Sequence, residues 1–317
     1  MTLKSPVPHK TPAKPFLKWP GGKSNLISTF QSFLPEQLYQ NEIDDYFEPF
    51  VGSGAMFFFI MQNFRLKKAC LNDSSKEVII AYKVIKKDPE NLIKYLSRYK
   101  ERYLSLRQNK RPAFYYNMRD AYNSGRQAMD YRKYSQNWIQ RTAQLIFLNK
   151  TCFNGLYRFN QKGDFNSPAG RYNNPGIYNE ANLMAIHKLL KKTSIVNGDF
   201  ETIAKKVSRK SFVYLDPPYR PISRTSSFTS YTSKSFDDNE HIRLAEFLKV
   251  LHKKGAKFML SNSEPKDETP DDHFFDRIYD GFTINNVLAA RMINCKGNKR
   301  GKIREILVTN YSPPGMR

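Results

Sequence analysis

The spacing of apolar residues changes character several times along the chain. Asp45-Tyr-Phe-Glu-Pro-Phe-Val51 reads as a strand running into Gly52-Ser-Gly54, and Ala55 to Asn63 continues with the nearly unbroken apolar character of a buried helix. Lys68 to Asn72 reads as a second strand ending at Asp73, with a helix resuming from Ser74 or Ser75, both residue types that cap helix N-termini. From about 80 to 150 the texture shifts to long charged helices, such as Pro89 to Arg107 and Gln136 to Lys150, without strand patterns. Leu156 to Asn160 and Phe165 to Ser167 then flank Gln161-Lys-Gly-Asp164, a four-residue turn containing glycine, which predicts a β-hairpin. Short β-branched and aromatic runs return at Ser194–Val196, Phe212–Leu215, Lys257–Leu260 and Ile303–Thr309, separated by helical stretches such as Asn239–His252. That alternation predicts an α/β fold, a mostly parallel sheet covered by helices, with a helical lobe inserted in it.

Composition narrows the class. At 317 residues with 40% hydrophobic and 14% aromatic residues, the chain has enough core formers to fold despite its charge. Lys and Arg number 52 against 29 Asp and Glu, a formal charge of +23 that favours a polyanionic partner, nucleic acid first. The rival polyanion, an anionic membrane, would want a long amphipathic helix with a basic face, and none is present. Cys70, Cys152 and Cys295 are odd in number and far apart, which suggests neither a disulfide framework nor a metal site and implies a reducing, cytoplasmic home. Residues 1–14 read as a flexible Pro- and Lys-rich tail without a signal-peptide core, so order is expected from Pro15, and the longest apolar run, Ala55 to Met61, is too short to span a bilayer.

Two glycine turns invite a chemical reading. Gly52 and Gly54 follow the first strand, and Asp73 ends the next one, a position from which a carboxylate accepts both ribose hydroxyls of a nucleoside. A third glycine is missing, since Ala-Met-Phe follows Gly54 directly, so a nucleoside without phosphates, such as S-adenosylmethionine, suits the turn better than a dinucleotide. A purely structural turn is the plain alternative for Gly-x-Gly taken alone. Trp19-Pro-Gly-Gly-Lys-Ser24 is not a P-loop, because Leu17 stands where that motif needs its first glycine; Lys23 is instead read as a contact for the carboxylate of a methionine moiety.

The most informative segment is Asp216-Pro217-Pro218-Tyr219, at the end of the apolar run Phe212-Val-Tyr-Leu. Strand carboxyl ends are where open α/β sheets bind ligands. Two prolines remove donors and fix the backbone, so the Asp216 side chain and the Pro217 carbonyl present acceptors at a set angle. An exocyclic amine offers two N–H donors to such a pair, and Tyr219 can stack on the face of a base. A turn after a strand is the bland alternative.

Several motifs in this order resemble one family. Phe16-Leu-Lys-Trp-Pro-Gly-Gly-Lys23, Phe47-Glu-Pro-Phe-Val-Gly-Ser-Gly54, Phe153-Asn-Gly-Leu-Tyr-Arg-Phe-Asn160, Phe165-Asn-Ser-Pro-Ala-Gly-Arg-Tyr172 and Tyr214-Leu-Asp-Pro-Pro-Tyr219 are similar to the Dam and Dpn type of DNA adenine methyltransferases, from about Pro15 to Tyr311. The resemblance implies a Rossmann-like methyltransferase sheet, mostly parallel with a late antiparallel hairpin, formed by 15–78 and 178–317, with the helical, hairpin-bearing target-recognition domain at 79–177. It also implies methyl transfer from S-adenosylmethionine, without a metal, to a flipped adenine in double-stranded DNA, with a GATC-like target. By carry-over, Trp19, Lys23, Phe50, Gly52, Gly54, Asp73 and Asp216 contact the cofactor, and Asp216 to Tyr219 hold the base. Lys18, Phe153, Asn154, Leu156, Arg158, Pro168, Arg171 and Tyr172 meet DNA, Arg158 by two hydrogen bonds to guanine and Leu156 and Pro168 against a thymine methyl. Phe153 stands where some relatives have Tyr, and Ser167 and Ala169 replace bulkier residues, which bears on intercalation and flanking preference. Ser223 to Ser235, with nine Ser or Thr in thirteen positions, reads as a lid or a polar loop, and Lys296, Lys299, Arg300 and Lys302 as a second phosphate-facing cluster or a solvated turn. The alternatives are amino methylation at another DNA site, of RNA or of cytosine N4, or an inactive DNA-binding relative; Asp at 216 argues against cytosine N4 enzymes, which often carry Ser there. Restriction and solitary roles are separated by neighbouring genes, not by residues.

Overall fold

The computed structural model describes residues 12–220, 236–264, 271–290 and 302–314, together with Lys266 and Thr269. Ser223–Ser235 and the cluster at Lys296, Lys299 and Arg300 lie outside them. One sheet holds seven strands: β1 (Asp45–Glu48), β2 (Lys68–Asp73), β3 (Thr193–Asn197), β4 (Ser211–Leu215), β5 (Lys257–Ser263), β6 (Thr283–Ala290) and β7 (Lys302–Thr309), in the order β3-β2-β1-β4-β5-β7-β6. β1 pairs parallel with both β2 and β4, and β3 and β5 extend the parallel set on either side. β7 runs antiparallel between β5 and β6. The α/β expectation and its late antiparallel hairpin therefore hold, in a Rossmann-like sheet. Strand order reverses at β1, which opens a crevice between the carboxyl ends of β1 and β4.

Local chemistry sets the boundaries. β1 stops at Glu48, three residues short of the expected Val51, because Pro49 has no N–H to offer the ladder and the chain turns there. Ala55–Asn63 forms the expected helix, packed almost wholly within the core. Ser75 caps the helix Lys76–Lys87, its hydroxyl accepting the Val78 N–H at 3.4 Å. Alternate residues of the strands feed two cores, Tyr46, Leu71 and Tyr214 on one face and Phe47, Cys70 and Val213 on the other.

The lobe is helical, with Pro89–Ser105, Arg111–Ser124 and Gln136–Thr151. Trp138, Leu145 and Tyr157 share one apolar cluster with Tyr46 and Phe212 of the sheet, and the helix Lys76–Lys87 runs through the expected boundary after residue 78. Residues just before Pro15 are held by side chains: the Gln62 amide accepts from the Ala13 N–H at 2.7 Å and donates to its carbonyl at 3.0 Å, and Asn182 does the same for Lys14 at 2.8 and 3.0 Å. Side-chain amides supply what a strand partner would have.

His241, in the helix Asp238–Lys253, is fully buried against Phe236, Phe274 and Phe275, and neither ring nitrogen has a hydrogen-bond partner among the described residues. Burial pushes its pKa from 6.5 down to about 4, against the pull of Asp238. The unfolded chain thus takes up a proton near pH 6.5 that the folded chain refuses, so the stability this neutral ring contributes above pH 6.5 is lost as pH falls towards 4, by about 3 kcal/mol. Urea midpoints followed from pH 7.5 to 4.5 check this: His241→Phe is expected to flatten the slope, and an unchanged slope places the acid sensitivity elsewhere.

Candidate active site

The turn after β1 is built from the backbone outward. Gly52 and Gly54 hold φ of 45° and 73°, and Gly54 N–H donates to the Val51 carbonyl at 2.7 Å. The Asn72 amide, at the end of β2, donates to Pro49 O at 3.1 Å and Gly198 O at 3.0 Å, fastening this turn to the loop after β3. A Cβ on Gly54 would meet the Tyr82 hydroxyl at 2.4 Å, and one on Gly52 the Trp19 indole at 2.9 Å. These glycines therefore make room for protein side chains, where the sequence suggested room for a ligand.

Asp73 sits at the end of β2 beside that turn. Its Oδ2 accepts the Gly52 N–H at 2.9 Å and its Oδ1 the Ser75 N–H at 2.8 Å. Burial raises its pKa to about 6 against those two bonds, so the carboxylate is charged at neutral pH. Trp19 lies tilted on Tyr157, ring centres 4.5 Å apart, and Phe50 packs with Phe200 and Phe236 at 5.5 and 5.7 Å.

Asp216 leaves the end of β4 facing the same crevice. Its Oδ1 meets Lys23 Nζ at 2.8 Å and accepts the Ser261 hydroxyl at 3.1 Å, while Oδ2 has no partner among the described residues. Ser261, from β5, is also bonded to the Tyr214 hydroxyl at 2.8 Å. Lys23 is buried, and its other two protons go to the Tyr219 hydroxyl at 2.9 Å and the Gly21 carbonyl at 3.1 Å. Burial alone would lower the Lys23 pKa, but Asp216, Tyr219 and Glu305 together raise it above the usual lysine range, so it is an ammonium. In this structure all three protons are taken by the chain, so that Lys23 braces the Asp216 turn. Nearby, Glu48 at the end of β1 is buried with its Oε2 accepting the Tyr46 hydroxyl at 2.6 Å, and burial pushes its pKa well above the usual carboxylate range.

Pro217 and Pro218 carry the chain from Asp216 to Tyr219, whose hydroxyl donates to Glu305 Oε1 at 2.7 Å. Arg220 then anchors the turn's exit, gripping Asp238 through Nε and Nη2 at 2.6 and 2.8 Å and also reaching Asp272.

The 152–170 segment departs from the predicted strands. Only two isolated bridges form, Cys152 with Ala169 and Phe159 with Phe165. Side chains replace the ladder: Ser167 Oγ donates to Leu156 O at 2.6 Å, Tyr115 Oη to Ser167 O at 2.8 Å, and the Asn123 amide brackets Phe165 at 2.8 and 3.0 Å. The hairpin reversal survives without regular strands, closed by Asn160 N–H to Asp164 O at 2.9 Å. Phe153 is 49% exposed, and Asn154, Arg158, Pro168 and Arg171 are exposed beside it, with Leu156 and Tyr172 half-buried. Arg158 is held across the hairpin, Nε to Asn166 Oδ1 at 2.9 Å and Nη2 to Asn166 O at 3.2 Å, which leaves three of its five N–H groups. Asn149 ties Lys18 to the lobe by 2.7 and 2.9 Å backbone contacts, and the Lys18 stem crosses Gly155 with its ammonium 4.8 Å from the Tyr172 ring. Lys18 and Tyr172, 154 positions apart in sequence, thus join the same surface.

Ser261, Glu305, Asn149 and Tyr157 escaped the sequence reading. Tyr157 stood within a matched motif, but nothing in the periodicity of β5 or β7 distinguishes Ser261 or Glu305 from other strand polar residues.

The sheet brings Asp73, the turn after β1 and Asp216 together at the carboxyl ends of the neighbouring strands β2, β1 and β4, the end at which open α/β sheets bind ligands. The family model of D12 class N6 adenine-specific DNA methyltransferases matches residues 19–293. The chain is 48% identical to the Type II methyltransferase M.MjaIII of Methanocaldococcus jannaschii, over 94% of this chain and 99% of that protein. It is 37% identical to the Type II methyltransferase M1.LlaDCHI of Lactococcus lactis subsp. cremoris, over 96% and 97%, and 31% identical to a DNA adenine methylase of Vibrio cholerae serotype O1, over 92% and 94%. The chain belongs to the D12 class of N6 adenine-specific DNA methyltransferases.

Proposed function

We propose that this enzyme methylates N6 of an adenine flipped out of duplex DNA, with S-adenosylmethionine as donor and a GATC-like target. The observation that carries this reading is the Asp216 turn: Oδ1 is pinned by Lys23 and Ser261 while Oδ2 is left to a ligand, at the mouth of a crevice whose far side holds Asp73. The adenine N6 lone pair is delocalised into the ring, so the nitrogen becomes nucleophilic only as both N–H bonds are engaged by acceptors. Asp216 and the Pro217 carbonyl are those acceptors, and Tyr219, its hydroxyl fixed at both ends, is the stacking platform.

The residues fit a cationic nucleoside donor. Asp73 presents a charged carboxylate already braced by two backbone N–H groups, suited to a ribose diol, and Phe50 offers an aromatic wall. Trp19, Gly52 and Gly54 shape that side of the crevice. The donor supplies an electrophilic methyl group on a sulfonium and leaves as a neutral thioether. Orientation of the amine by the chain's own acceptors supplies the rest.

Extruding a base costs a few kcal/mol of unstacking, and something must brace the gap. Phe153 projects from the lobe with the exposed area to do so, and Arg158 stands beside it. Lys18, Asn154, Leu156, Pro168, Arg171 and Tyr172 form the surrounding DNA surface, with 79–177 as the target-recognition domain. Expression in a host without adenine methylation, followed by mapping of methylated bases, tests the whole reading. N6-methyladenine within GATC is expected; soluble protein without N6-methyladenine overturns the function, and another motif overturns only the target.

Arg158→Ala is expected to relax discrimination at one guanine by about 1–3 kcal/mol while sparing other positions. Competition between single-base site variants measures it. Uniform weakening on every sequence would make Arg158 a phosphate contact instead.

A further inference from the structure

One oxygen beside the Asp216 turn has no hydrogen-bond partner among the described residues. Glu305 stands in β7 opposite Ser263 of β5 and Val287 of β6, 6% exposed. Its Oε1 accepts the Tyr219 hydroxyl at 2.7 Å, but Oε2 is buried without a hydrogen bond among the described residues. Lys23 Nζ lies 3.8 Å from that oxygen and 2.8 Å from Asp216 Oδ1. A buried carboxylate oxygen left unpaired is costly, and one held just beyond bonding distance of an ammonium has a partner within reach.

Lys23 also poses a difficulty for the Asp216 turn. Its ammonium draws on the same carboxylate that must accept the adenine N–H, and charge shared with an ammonium makes a weaker acceptor for an amine. We propose that Glu305 is a positioning residue that receives Lys23: as the base amine engages Asp216, the ammonium passes from Asp216 Oδ1 to Glu305 Oε2. This deepens the adenine reading and rests on it. The move asks little of the structure, because closing 3.8 Å to an ordinary charged hydrogen bond takes about 1 Å. The bonds from Lys23 to Tyr219 and Gly21 can persist, and Tyr219 keeps Glu305 Oε1 throughout, so the stacking ring does not turn. Two carboxylates and one ammonium share the pocket before and after, and no charge is created or buried anew. Asp216 is released to the substrate, and the orphaned oxygen gains its partner.

Two substitutions separate this role from a mere tether on Tyr219. Glu305→Gln retains an oxygen that accepts the Tyr219 hydroxyl but lacks the charge that draws Lys23, whereas Glu305→Ala lacks both. With unmethylated genomic DNA and labelled S-adenosylmethionine, both variants are expected to lose about 100-fold in kcat. KM for DNA and for the donor should stay within about twofold. Wild-type kcat in the Gln variant, whether or not the Ala variant is slow, overturns the proposal, since the tether alone would then suffice. Should Glu305→Gln fail to fold, a structure of the unaltered enzyme with DNA and donor decides: Lys23 Nζ within about 3.2 Å of Glu305 Oε2 and withdrawn from Asp216 supports the transfer. Lys23 still on Asp216 with the base in place overturns it. If the unaltered enzyme methylates no adenine, the adenine reading itself falls, an outcome distinct from a fast Gln variant of an active enzyme.

Discussion

Asp216→Ala is expected to fold and to bind DNA, yet to transfer methyl at least about 1,000-fold more slowly than the unaltered enzyme. The side chain does three things at once. It follows β4 at the switch point, it pairs with the Lys23 ammonium at 2.8 Å through Oδ1, and its Oδ2, without a partner among the described residues, is the acceptor proposed for the amine. Only the last of these is chemistry. Folding should survive because Lys23 keeps the Tyr219 hydroxyl, the Gly21 carbonyl and the nearby Glu305 carboxylate, so its charge is not stranded. Single-turnover transfer to unmethylated DNA reads the chemical step, and a binding titration shows that the complex still forms. Asp216→Asn sharpens the result: it keeps one acceptor oxygen while losing the charge, so its rate is expected between those of the Ala variant and the unaltered enzyme. Near-normal turnover of Asp216→Ala would refute the assigned role.

Arg141→Met is expected to destabilise the fold by about 3–5 kcal/mol, the largest stability effect of any single substitution considered for this chain. Arg141, on the helix Gln136–Thr151, is 3% exposed and grips Glu77 of the helix Lys76–Lys87 through Nε at 2.8 Å and Nη2 at 2.7 Å. Its Nη1 donates to the Tyr122 carbonyl at 2.7 Å, its guanidinium lies 4.0 Å from the Tyr122 ring centre, and Tyr131 donates to the same carboxylate at 2.6 Å. Removing the cation leaves a nearly buried carboxylate with one tyrosine, and the cost is the desolvation of that charge rather than the worth of the pair. Urea denaturation followed by circular dichroism measures it. The double variant Arg141→Met with Glu77→Leu should regain part of the loss, because neither charge is then stranded. A double variant as unstable as the single would mean that the arginine acts by packing alone. The pair matters beyond stability: Glu77 follows by two positions Ser75, whose N–H holds Asp73, so this ion pair fastens the helical lobe to the helix that leads from Asp73.

Much of this is legible in the residues alone. The helix Ala55–Asn63, the helix Gln136–Thr151 within a residue of its predicted end, and the strands at 68, 193, 211, 257 and 302 follow from residue periodicity and caps, which act over a few neighbours. In two places a distant partner replaces a local one. The hairpin strands did not form because Asn123 and Tyr115, on a helix some 40 to 50 residues away, satisfy their backbone groups. Gln62 and Asn182 likewise pair with Ala13 and Lys14, in a segment whose composition alone suggested a tail.

By itself, then, the sequence determined the sheet-and-helix plan, the long helices between β2 and β3 and the Asp216-Pro-Pro-Tyr219 turn at a strand's carboxyl end, since each is a property of a few consecutive residues. Only the tertiary structure decided what Lys23 does. It brings that ammonium to Tyr219, 196 positions away, sets Glu305 from β7 against the same hydroxyl, and lays Trp19 over Gly52 where sequence had seen space for a ligand. The physical reason is that a buried charge takes whichever partners the fold brings within about 3 Å, and those partners come from strands and loops whose separation along the chain carries no sign of their meeting.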